Sequence, residues 1–107
     1  MKIAFIITKT PQEEGFNNFI KLLNLYVDNQ DIHVYLIGNG VYNAVHGHIH
    51  TDLIHGLAQK NTVLAYEKDL KARGLEEMSL IPGVSIFPDY GDMVVDIMEK
   101  MDQVFNF

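Results

Sequence analysis

Apolar positions recur along the chain in two alternating rhythms. "KIAFIIT", residues 2–8, is a β-branched and aromatic run, apolar on both faces. That pattern predicts a strand covered on both sides, as in a parallel sheet. After "KTPQEEG", Phe16, Phe19, Ile20, Leu23, Tyr26 and Val27 recur at helical spacing within "FNNFIKLLNLYVDN". "NQD" makes a turn, and "IHVYLIG" predicts a second buried strand. "NGVYNAVHG" predicts a short helix, with Asn39 as its N-cap and Gly47 as its C′ residue. Thr51 is placed to cap "DLIHGLAQK", in which Leu53, Ile54, Leu57 and Ala58 share a face. Gly56 weakens that helix by about 1 kcal/mol relative to Ala.

The alternation continues to the end. "TVLAY" reads as a third strand and "EKDLKARG" as a polar helix stopped by Gly74. "VSIF" is a short fourth strand. Pro88 and Asp89 open "YGDMVVDIMEKM", where Val94, Ile97, Met98 and Met101 line one side, and "QVFNF" is a fifth apolar segment. Strands alternating with helices predict one α/β domain over residues 1–107, a three-layer α/β/α sandwich around a mainly parallel sheet of about five strands. Right-handed crossovers follow, but the pattern leaves strand order open. Ligands of such sheets sit beyond the carboxyl ends of the strands, so the three loops after strands one to three are the places to look.

Composition narrows the function classes. The net charge is −6 and no two Lys or Arg residues are adjacent, which argues against binding a phosphate backbone. No apolar run is long enough to span a membrane. The opening "MKIAFIITKT" has an apolar core of about five residues, below the roughly 7–15 of a signal peptide, so a cytoplasmic location is expected. There is no cysteine. That excludes disulfides, thiolate–metal sites and any step in which the chain carries sulfur on its own thiol.

Each loop offers a candidate. Thr8 and Thr10 after the first strand suggest a phosphate loop, but Glu13 and Glu14 occupy the helix start where an anion would bind, and their charge repels it. "GNG" after the second strand lacks the spacing of a dinucleotide fingerprint. "HGHIH" places His46, His48 and His50 at every second position. As a strand they would share a face and, with Asp52 or His55, offer a zinc site with an open position. The local pattern favours another arrangement, in which His46 closes a helix, Gly47 stops it and His50 precedes a cap, so that the rings diverge. The third loop carries Tyr66, Glu67, Lys68, Asp69, Lys71 and Arg73, a mixture typical of a solvated face with pairs such as Glu67 to Lys71.

"VLAYEKDLKARGL" followed by "IPGVSI" resembles the DsrE/DsrF/DsrH-like family of sulfur-relay proteins, with "DLKARGL" closest to its DsrH branch. The ending "MDQVFNF" is similar to the close of the DsrE and YchN-like members, and "LIGNGVYNAVHG" to the family's second strand and following helix. The resemblance implies a three-layer domain that assembles as trimers or hexamers, alone or with related subunits. It also implies that active members carry a persulfide on a cysteine just after the third strand and pass it on, in bacteria towards thiolation of a tRNA wobble uridine. Aligned on "RG", that cysteine falls at Tyr66, and a second one of YchN-like members falls at Asp69.

A phenol with a pKa near 10 forms no persulfide. The resemblance therefore implies a non-catalytic subunit, structural or regulatory, of an oligomer whose cysteine-bearing partners move sulfur. It implies no cofactor, no direct contact with nucleic acid or membrane, and a cleft near Tyr66 in which Asn39, Asp69 and Arg73 are the candidate residues. Met93, Met98, Met101, Phe105 and Phe107 are candidates for the subunit interface. Two alternatives stand beside this reading: a metal protein or enzyme using His46, His48 and His50, and a module that binds a small ligand in the cleft.

Overall fold

A computed structural model describes residues 1–107. Five strands, β1 (Lys2–Ile7), β2 (Asp31–Leu36), β3 (Thr62–Tyr66), β4 (Ser85–Phe87) and β5 (Gln103–Asn106), form one sheet in the order β4-β3-β2-β1-β5. Every pairing is parallel. Four helices connect them: α1 (Glu14–Tyr26), α2 (Thr51–Lys60), α3 (Glu67–Ala72) and α4 (Tyr90–Lys100). Two 3-10 turns, Gly38–Ala44 and Glu77–Ser79, complete the connections. The doubly apolar strand segments are thus the strands of an α/β/α sandwich.

The strand order decides which helix lies where. From β1 to β4 the chain steps in one direction across the sheet, so right-handed crossovers put α1, α2 and α3 on one face. The step from β4 to β5 runs the other way and puts α4 on the opposite face. The core divides accordingly. Ile3, Phe5, Ile7, Ile32, Val34, Leu36, Val63 and Ala65 point to the first face and pack against Phe16, Phe19, Leu23, Ile54, Leu57 and Leu70 of the three helices. Ala4, Tyr35, Leu64 and Tyr66 point to the second face, where α4 supplies Met93 and Ile97 and the residue just after it, Met101, packs beside them. A sheet of five strands is about 19 Å across at roughly 4.8 Å per interval, whereas one helix lying along the strands is about 10–12 Å wide with its side chains. One such helix cannot roof that face.

Helix α4 shows the mismatch in its own pattern. Asp89 caps it, its carboxylate accepting the Gly91 N–H at 2.7 Å. Met93 is in the core, but Val94, Val95 and Met98 continue the apolar arc onto the solvent side and are 38%, 50% and 79% exposed. Of the five residues expected as interface candidates, only Met98 is free. Met93 is buried, Phe105 and Phe107 pack on Phe5, and Met101 packs on the second-face core.

Helix α3 ends as its sequence predicts. Gly74 adopts φ +68°, the Gly74 N–H bonds to the Lys71 carbonyl and the Leu75 N–H to that of Leu70. Those two bonds are the Schellman pattern. The segment after β2 departs from expectation. Asn39 does not cap a helix: the 3-10 turn starts at Gly38 and has no side-chain cap. It ends at Ala44, because Val45 pairs antiparallel with Leu80 and extends the chain. His46 therefore lies outside any helix, its N–H donating to the Ser79 carbonyl, and Gly47 (φ +100°) turns a loop rather than a helix end. Thr51 is the first residue of α2 and not its cap; its hydroxyl closes back on the His48 carbonyl at 2.9 Å.

Candidate functional site at the carboxyl ends of the strands

One pair of adjacent strands sends its outgoing chains to opposite faces of the sheet. Here those strands are β3, which feeds α3 on the first face, and β4, which feeds α4 on the second. Their last residues, Tyr66 and Phe87, are direct register partners. The Tyr66 ring stacks on Phe87, with Tyr90 edge-on to it at 5.8 Å. Tyr35 meets Phe87 edge-on from β2. Burial, with the charge of Asp96 on α4 adding to it, raises the pKa of Tyr35 above the usual 10, so this phenol stays neutral. Four aromatic rings, those of Tyr35, Tyr66, Phe87 and Tyr90, thus cluster near the carboxyl ends of β2, β3 and β4.

Asn39, Asp69 and Arg73 do come together, but they satisfy one another. The Gly38 N–H donates to Asp69 Oδ2 at 2.7 Å. Arg73 Nε and Nη2 both donate to Asn39 Oδ1, at 3.1 and 3.0 Å. Its Nη1 reaches the Asp69 backbone carbonyl at 3.1 Å and Oδ1 at 3.5 Å. The guanidinium also lies 6.0 Å from the Tyr42 ring centre. All three nitrogens of the fork are engaged, and the network fastens α3 to the 3-10 turn. Asn39 thus takes part as an acceptor for Arg73.

The three histidines diverge. His46 is exposed. His48 accepts the His50 N–H at Nδ1, which places its own proton on Nε2, donating to the Asn43 carbonyl at 3.1 Å. The His50 ring packs against Phe16 of α1 with 5.0 Å between centres. Burial lowers the His48 pKa below the usual 6.5; the Asn43 carbonyl opposes that shift, and His50 and His46 add to it. Both nitrogens of His48 are thus occupied by the backbone. No three His, Asp or Glu side chains are grouped as ligands for a metal ion.

An open cleft lies elsewhere, at the ends of β1 and β2. It holds about 310 Å³ between Thr10, Pro11 and Gln12 on one wall and Tyr42 with residues 45–48 on the other. Two positions build it: Gly40, which the sequence marks as part of a tight turn after the second strand, and Asn43, which sequence reasoning missed. Gly40 lies so close to the end of β1 that a Cβ there would run into the Ile7 carbonyl oxygen. The fully buried Asn43 donates its amide to the Lys9 and Gly40 carbonyls at 2.8 and 3.0 Å. A lone polar residue inside the apolar "VYNAV" was the available signal.

No curated protein sequence matches this chain significantly. Among solved structures, it is similar over its whole length to the YchN protein of E. coli, with a TM-score of 0.83 and 22% identity across 100% of this chain and 99% of that one. A protein of unknown function from Methanobacterium thermoautotrophicum, MTH1491, is similar with a TM-score of 0.78 and 17% identity, covering 99% of this chain and 98% of its own. Those likenesses establish the fold. The family model described as DsrH like protein matches residues 11–104, and on that match the chain belongs to the DsrH-like family.

Proposed function

We infer that this chain is a non-catalytic, sulfur-relay-associated subunit of an oligomer in which related, cysteine-bearing chains transfer persulfide sulfur, with tRNA thiolation as one destination. Family membership supports the association with sulfur relay. The observation that carries the non-catalytic role is Tyr66. Aligned on "RG" it takes the place of the family's relay cysteine, its ring stacks on Phe87 with Tyr90 edge-on, and the chain has no cysteine elsewhere. Tyr66 offers no sulfur atom to attack a donor.

The second face of the sheet supports assembly. A single helix covers it, and the apolar ridge of Val94 and Met98 on that helix is left in solvent. Apolar surface of this kind is suited to a trimer or hexamer with copies of itself or with related subunits. The acidic surface supports a role that avoids direct contact with nucleic acid, and no helix is long and apolar enough to cross a membrane. A cytoplasmic location fits this role.

Light scattering on untagged protein, with capture of partners from the native organism, tests the reading. The expected result is a mass of three or six chains, or a complex containing cysteine-bearing relatives. A monomer without related partners overturns the assembly role. Labelled sulfur retained by the purified chain alone overturns the non-catalytic role.

A further inference from the structure

We propose that the cleft beside Tyr42 and His46 is a binding site for a small, neutral, planar molecule carrying both amide donors and acceptors. The inference is independent of subunit assembly and of sulfur chemistry. Its volume, about 310 Å³, is at the small end of the roughly 300–1,000 Å³ range of small-molecule pockets, and its position at the strand ends is where α/β sheets bind ligands.

The walls are held in place before any ligand arrives. Asn43 ties the loop after β1 to the 3-10 turn through the Lys9 carbonyl. Glu13 turns its carboxylate back to the Thr10 N–H at 2.6 Å. Thr51 and the Asn43 carbonyl fix His48 from two sides. A wall fixed by its own hydrogen bonds loses little freedom on binding, which favours affinity for a small occupant.

The lining selects the class of ligand. It contains no Asp, Glu, Lys or Arg, the nearby Arg73 and Asp69 are engaged with each other, and the Glu13 carboxylate on the Thr10 N–H repels an anion, so an anionic molecule would lose water without gaining a counter-charge. The groups present are the Thr10 hydroxyl, the Gln12 amide, the Tyr42 phenol and the His46 imidazole, each able to donate or accept. Aromatic rings at Tyr42 and His46 suit a flat partner. The segment that forms one wall also concentrates unsatisfied polarity. Asn43 Oδ1 and His50 Nε2 are buried without a hydrogen-bond partner, two of the three such side-chain atoms in the chain. Native folds keep few atoms of this kind, and here the fold tolerates them beside the cleft.

Titrating ¹⁵N-labelled protein with nicotinamide, and separately with its anionic counterpart nicotinate, tests the proposal by NMR. The expected result is saturable shifts confined to residues 10–12 and 42–50, with a nicotinamide dissociation constant on the order of 1 mM, typical of a fragment. Nicotinate should bind at least about tenfold more weakly, because its charge finds no partner. Tyr42→Ala should weaken nicotinamide by a similar factor, and His46→Ala, at an exposed position, provides a variant that keeps the fold if Tyr42→Ala does not. Shifts that are absent or scattered, equal binding of nicotinate, or unchanged affinity in the folded variants each overturn the proposal.

Discussion

Tyr66 and Phe87, the last residues of two neighbouring strands, lie face to face with ring centres 5.2 Å apart and planes 22° apart. The stack makes Tyr66 a packing position that joins two strand ends. Tyr66→Ala removes that stack and the edge contact with Tyr90. An aromatic pair is worth about 0.5–1.5 kcal/mol beyond its buried area, so a total loss of about 1.5–3 kcal/mol is expected. The midpoint of urea unfolding measures it. A loss under about 0.5 kcal/mol would mean that the stacked rings contribute nothing to holding the strand ends together.

Asp69 is expected to matter for the fold through one hydrogen bond in particular. Its carboxylate accepts the Gly38 N–H at a point where the backbone has φ +54°. Asp69→Ala leaves that donor unmatched and releases one arm of Arg73, a loss of about 1–3 kcal/mol. Arg73→Lys keeps the charge but loses the fork that engages Asn39 and Asp69 together, so it should also destabilise. A double-mutant cycle of Asp69→Ala with Arg73→Ala checks the coupling; additive effects would show that the residues act independently.

The pH dependence follows from His48. Its folded pKa is lowered, so the native state holds the neutral ring while the unfolded chain takes up a proton below about 6.5. The contribution is complete above that value and is lost as the pH falls from there through the lower, folded pKa. Protonation would also place a hydrogen on Nδ1, which now accepts the His50 N–H. The His48 ring signals followed by NMR should therefore titrate below 6.5, and the melting temperature of the native chain should drop further between pH 7 and pH 5 than that of His48→Gln. A His48 midpoint at or above 6.5 would remove the basis of this prediction.

The strands and the layer architecture were legible because burial on both faces leaves continuous apolar runs, as in "KIAFIIT" and "TVLAY". Gly74 and Asp89 were legible because each acts through its own local geometry. The site was less so. Asn39 reads as a helix cap in isolation, and only the fold brings Arg73, 34 positions away, to its side chain. His46 reads as a helix end until Leu80 draws Val45 into a bridge. The cleft beside Tyr42 was not legible for the same reason: strand order is absent from periodicity, and strand order decides which loops face each other.

Two glycines separate room from necessity. At Gly40 a Cβ would collide with the Ile7 carbonyl oxygen and stand 2.7 Å from its carbon, both backbone atoms that cannot move aside. Gly40→Ala is expected to cost about 3 kcal/mol or more and to disturb residues 42–48 along with it. Gly56 sits inside α2 with open space where a Cβ would stand, no atom lying within 4 Å, so Gly56→Ala should gain about 1 kcal/mol from helix propensity alone. Thermal unfolding of both variants reads the contrast. A tolerated alanine at 40 would contradict the close approach that shapes the cleft.

The uncovered ridge of α4 gives the test that separates assembly from packing. Met93 and Met98 share a helix, yet one is 3% exposed and the other 79%. Met93→Ala removes core volume and should cost about 2–5 kcal/mol whether or not the chain assembles. Met98→Asp touches no core contact, so the monomer should stay within about 0.5 kcal/mol of its original stability. If the ridge is an interface, the same change buries a carboxylate against apolar surface and should dissociate the oligomer. Light scattering on Met98→Asp, with Val94→Asp beside it on the ridge, distinguishes the cases. A folded variant with its full oligomeric mass would show that the subunits meet elsewhere, and that α4 is exposed for a reason other than association.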